Sequence, residues 1–177
     1  MLRGAAALTL PNGASLTGAV RIETAGPSHC KVRLNLGPPG RPITVTAVLN
    51  GNRAVTSAPA GLLRQLPLPI SPAIGCGFVP GAINGQRLAA AGAALSLNAA
   101  GEPAVLTLSL NGAPATVAYR NLLAAGDTLY AVSVTARAGG ATLTLQLTSA
   151  TQTAFAAADF PVPPLHAPAT RGYGGGQ

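Results

Sequence analysis

One stretch of the chain occurs twice. Residues 34–51 read LNLGPPGRPITVTAVLNG and residues 95–112 read LSLNAAGEPAVLTLSLNG, at a constant offset of 61. Both copies carry Leu-x-Leu, then Gly-x-Pro, then Leu-Asn-Gly, and Thr46 falls on Thr107. Each spells the end of one strand, a Gly/Pro turn, a second strand and an Asn-Gly hairpin turn, because Asn and Gly tolerate the positive φ that a tight hairpin needs. In the first copy Ile43, Val45, Ala47 and Leu49 alternate with Thr44, Thr46 and Val48. In the second, Ala104, Leu106, Leu108 and Leu110 alternate with Val105, Thr107 and Ser109. A period of two puts each set on its own face of a strand, and a slip of one residue would turn every core side chain to water. The repeat therefore commits the chain to antiparallel sheet. Duplication and chance recurrence in a chain rich in Ala, Leu, Thr, Gly and Pro explain it equally well.

The same period runs through the rest of the chain. Strands are expected over 5–10, 16–23, 29–36, 43–49, 53–57, 104–110, 115–120, 129–136, 141–148 and 151–157, separated by Gly, Pro and Asn signals. The alternation is clearest at 29–36, where Cys30, Val32, Leu34 and Leu36 oppose Lys31, Arg33 and Asn35. About eight to ten short strands without helical periodicity read as an all-β domain, a single β-sandwich or jelly roll of antiparallel strands. That domain is expected over 1–160, with an extended Pro/Gly-rich arm over 161–177. Between the two copies lies a proline-rich loop, 59–86, in which 60–65 make a helical turn that Pro67 ends. A loop of that length is expected to be functional or pinned at an interface. Pro67, Pro69 and Pro72 in the loop, with Pro161, Pro163, Pro164 and Tyr173 in the arm, are the candidate assembly contacts.

Charge narrows the function classes. Only 8% of the 177 residues are charged, against roughly 25% in an ordinary soluble domain. A surface of Thr, Ser, Ala and Gly belongs either outside cells or under neighbouring subunits. The net charge of +7 comes from ten arginines strewn singly and one lysine, set against four acids. Lys31 and Arg33 alone share a strand face. Without a basic run or interleaved aromatic rings, specific nucleic-acid recognition is not expected. No apolar run approaches the roughly eighteen residues of a spanning helix. Residues 1–10 read as a first strand rather than an export signal, which places synthesis and assembly in the cytoplasm.

Chemistry is sparse. His29 and His166 stand alone, no Gly-x-Ser-x-Gly elbow or phosphate-binding loop exists, and no spacing pairs two of Glu23, Glu102, Asp127 and Asp159. No enzymatic activity, cofactor or metal is expected, and the sequence names no small-molecule ligand. Cys30 and Cys76 allow either a disulfide clipping the loop to the sheet or two buried thiols, and a cytoplasmic setting favours thiols.

In its alternating strands at 29–36, 43–49 and 141–148 and its arm at 161–177, the chain resembles small jelly-roll structural proteins of bacterial viruses. The resemblance implies a capsid, decoration or cement subunit that works by assembly with copies of itself and other virion proteins, located in the virion. The alternative is an adhesin-like or carbohydrate- or receptor-binding β module of a tail fibre, spike or pilus at the cell surface.

Overall fold

The computed structural model describes residues 1–38 and 40–162. The first half of the chain forms β1 (Leu2–Thr9), β2 (Ser15–Thr24), β3 (His29–Leu36), β4 (Ile43–Asn50) and β5 (Arg53–Ser57). A connecting segment, 58–93, holds the short helix α1 (Ala60–Leu63) and a small hairpin of β6 (Ile70–Ser71) and β7 (Gly75–Cys76). The second half forms β8 (Ala94–Leu97), β9 (Pro103–Leu110), β10 (Ala113–Ala125), β11 (Thr128–Ala138) and β12 (Ala141–Ala150).

The ten long strands make one sheet in the order β5-β4-β3-β2-β1-β12-β11-β10-β9-β8, antiparallel throughout. The fold is thus all-β, but the two facing sheets of a sandwich are not what the chain builds. The doubled unit explains the difference. Its first copy runs outward, from β3 through β4 to the edge strand β5. Its second runs inward, from the edge strand β8 through β9 to β10. The copies sit on opposite wings of a single sheet, joined in the middle where β1 pairs with β12.

Even their turns differ. Asn50 pairs with Arg53 in the first copy, leaving Gly51 as the first loop residue at φ 58°, whereas in the second Leu110 pairs with Ala113 and both Asn111 and Gly112 have positive φ, 52° and 80°. The inward phase is nevertheless shared, with Val45, Ala47 and Leu49 buried on one wing and Leu106 and Leu108 on the other.

The inward face is aliphatic from end to end. Leu8, Val20, Ile22, Val32, Leu34, Leu49, Leu106, Val117, Val134, Leu143 and Leu145 belong to one core cluster that also takes in Leu62, Leu66, Ile74, Phe78 and Val79 of the connecting segment. A flat sheet would separate β3 from β10 by five strand spacings, about 24 Å. Yet Cys76 is joined to Cys30 of β3 with Cα atoms 5.8 Å apart. The carbonyl of the next residue, Gly77, accepts a 2.6 Å hydrogen bond from the Tyr119 hydroxyl of β10. The wings therefore curl towards one another around the connecting segment. Asn121, at φ 56°, turns β10 so that Leu122 rather than Asn121 continues the packed side.

Three sequence expectations change here. Residues 151–157 add no strand, because both sides of β12 are taken by β1 and β11. The chain instead crosses to the outer side, where Asn50 Nδ2 donates to the carbonyls of Ala157 and Phe160 at 3.0 and 2.9 Å and the Phe160 ring lies 5.6 Å from that of His29, tilted by 50°. The proline-rich loop is not an exposed arm, since 74–80 are buried without interruption. Cys30 and Cys76 form a disulfide rather than two thiols. The helical turn before Pro67 is present as α1.

With its two ends 46 positions apart in sequence, the disulfide removes unfolded-state entropy worth about 4 kcal/mol. The double variant Cys30→Ala with Cys76→Ala, which keeps both positions apolar, should lose about that much stability in urea titration. A loss near zero would mean that packing alone holds the segment.

Candidate functional site: a groove at the seam of a curled sheet

The connecting segment runs from one sheet edge to the other, so it has to cross the mouth between β5 and β8. Its composition decides what it does there. Residues 62–70 read LLRQLPLPI, in which aliphatic side chains at 62, 63, 66, 68 and 70 are too many for a solvated loop. The prolines limit it to extended or turn geometry and remove donors that the interior would have to satisfy. The segment therefore enters the hollow as an extended apolar plug. Pro67 and Pro69 are buried within the chain itself, which takes these two candidate contacts off its own surface, and Pro72 is half-buried. Pro161 is exposed, while Pro163, Pro164, Tyr173 and the arm from 163 onward lie outside the described residues, as does His166.

Backbone pairing locks the plug in place. Gly77 N donates to Pro69 O and Asn84 N to Ile74 O, both at 2.8 Å. Gly75 sits at φ 81°, and a Cβ there would lie 2.4 Å from the Ala82 carbonyl oxygen and 2.8 Å from that of Pro27. Only glycine fits this left-handed, backbone-crowded position. Tyr119 is buried, and desolvation pushes its phenol far above the usual range, so it remains a neutral donor to Gly77.

The plug does not close the seam entirely. Beside it lies a groove of about 420 Å³ lined by Leu63, Arg64, Leu66, Leu68, Ile70, Leu110, Asn111 and Thr56. Three elements meet here: the plug after α1, the edge strand β5, and the β9–β10 turn of the opposite wing. Five aliphatic side chains form the lining, and Leu63 is 37% exposed. Arg64 and Asn111, both exposed, supply the polar rim. The volume falls within the roughly 300–1,000 Å³ of small-molecule sites. The groove went unread in the sequence, though the aliphatic density of 62–70 was its available signal.

Among the described residues no group of three or more His, Cys, Asp or Glu could hold a metal. His29 is an outer-face residue beside Phe160. No helix among the described residues is long and apolar enough to cross a membrane.

A curled, open antiparallel sheet with a filled hollow and an apolar seam is the architecture these features define. No protein-family model matches the chain, and no curated protein matches it. Among solved structures it is similar to a LolA superfamily protein from Nitrosomonas europaea, with a TM-score of 0.51 over 91% of this chain and 90% of that one. At 11% identity the likeness is one of fold. It overturns the resemblance to viral jelly-roll proteins, and with it the capsid, decoration or cement role, the virion location and the adhesin or sugar-binding alternative. The physical reason is topological: a jelly roll packs two sheets on each other, whereas here one sheet closes on its own connecting segment.

Tyr119→Phe keeps the ring but leaves the Gly77 carbonyl without that donor. It should cost about 1–3 kcal/mol in chemical denaturation. A neutral result would place a water or another donor at that carbonyl.

Proposed function

We propose that the protein is a binding protein, not an enzyme, that takes a hydrophobic ligand with an aliphatic chain and an anionic head at the seam of its curled sheet. The observation that carries this is the groove, with five aliphatic side chains converging from the plug and the β9–β10 wing and one guanidinium, Arg64, at its rim. Such a lining offers an acyl chain an aliphatic wall and its head a cation, the two contacts that a ligand of this kind needs. The shared fold with a LolA superfamily protein supports the reading. The Cys30–Cys76 disulfide favours a working place outside the reducing cytoplasm, where such bonds persist.

Displacement of a fluorescent fatty acid by palmitate and by hexadecanol tests it. Both should bind the intact chain, palmitate more tightly because Arg64 meets its carboxylate. Leu63→Glu, at an exposed position that leaves the core alone, should weaken both at least about tenfold, or 1.4 kcal/mol. Arg64→Gln should remove the preference for palmitate. Failure of palmitate, hexadecanol and a lysophospholipid alike to displace the probe would sink the proposal.

A further inference from the structure

Register across the first wing sets Arg3 opposite Arg21 and Arg21 opposite Arg33. Three arginines thus stand in one row on the outer face of β1, β2 and β3, at steps of about 4.8 Å. Lys31 lies on the same face of β3, two residues from Arg33. Like charges directly opposite one another destabilise a sheet, so the row is an arrangement that packing alone does not favour. The acid that balances it is Glu23, 6% exposed, whose carboxylate pairs with Arg21 and stands 3.9 Å from Lys31. Arg3 and Arg33, both exposed, form no ion pair with an acid among the described residues. Between Arg21, Glu23, Lys31 and Arg33 the face is indented by a pocket of about 110 Å³, room for a small anionic group.

We propose that this row docks the protein on an anionic lipid surface, its cations set against the lipid phosphates. Two features select that occupant over others of the same charge. Around the row the outer face carries small exposed side chains, Ala5, Ala7, Thr17, Ala19 and Thr44, while the 157–160 segment crosses it at its far end, beside His29 and Asn50. Nor do β1, β2 and β3 contain any Phe, Tyr or Trp. A protein partner of fixed structure would be expected to anchor on aromatic side chains, and single-stranded nucleic acid on stacking platforms. A bilayer of anionic headgroups needs only flatness and charge. The row lies away from the seam and does not depend on the groove's having a ligand.

Co-sedimentation of the full chain with phosphatidylcholine vesicles, with and without one-third phosphatidylglycerol, tests this. Binding is expected only to the anionic vesicles at low salt, and should vanish in about 0.5 M salt, where charges are screened within a few ångströms. Arg3→Gln with Arg33→Gln should lower the partition coefficient about 25-fold, at about fivefold per cation. Arg120→Gln with Arg137→Gln, which removes the same charge from β10 and β11, should leave it unchanged, with matched thermal melts in both variants. Equal loss in the two double variants would assign the effect to net charge and overturn the row. Equal binding to neutral vesicles would assign it to the apolar groove, and tighter binding to a DNA duplex at the same salt would assign it to nucleic acid; either result overturns the proposal.

Discussion

The packing of residues 74–80 between the two wings is the constraint on which the rest of the structure depends. A ten-stranded sheet with one aliphatic face has to bury that face, by stacking on a second sheet, closing into a barrel or being covered. This chain covers it with its own connecting segment. Cys76 is tied to β3, Gly77 is held by Tyr119 from β10, and Leu106 of β9 lies close enough that a Cβ on Gly77 would come within 3.1 Å of its side chain. Three contacts on two adjacent residues thus span both wings and hold the curl. The absence of Cβ atoms at Gly75 and Gly77 allows the plug's backbone to approach so closely.

Strand periodicity made nearly every long strand legible, because its signal is local: the alternation at 29–36 and 141–148 reappears directly in the burial of β3 and β12. The sheet's global order was not legible. An antiparallel hairpin says which strands are neighbours but not which face of which wing they meet, and the doubled unit has the same sequence whether its copies stack or flank. The prolines at 67 and 69 misled for a related reason. Proline is rightly excluded from a central strand, but it does not follow that the segment lies outside the core. The aliphatic residues between the prolines carried the information, and they point inward.

Strand propensity by itself also accounts for much of the poverty of charge. Threonine and alanine dominate the outward positions, among them Thr17, Thr44, Thr107 and Thr116. β-branched threonine favours the pleated sheet and satisfies a solvated face without ionisation. An outer face of this kind is what strand propensity selects when nothing demands carboxylates. Against that neutral ground a row such as Arg3, Arg21 and Arg33 is conspicuous as a local departure, although the sequence shows these residues only as isolated arginines spaced along the chain. Register brings them together.

The opposed directions of the two copies bear finally on where a ligand can enter. Because one copy runs outward and the other inward, both edge strands, β5 and β8, flank the connecting segment in the sequence. The segment must leave one edge and reach the other, so the gap between the wings and the plug that fills it are consequences of the same connection. The plug's buried middle is pinned by the disulfide and Tyr119, whereas its start, from Leu63 to Ile70, buries Leu66, Pro67 and Pro69 but leaves Leu63, Leu68 and Ile70 along a groove. Apolar surface that the plug leaves uncovered therefore lies at this start, beside β5 and the Asn111–Gly112 turn.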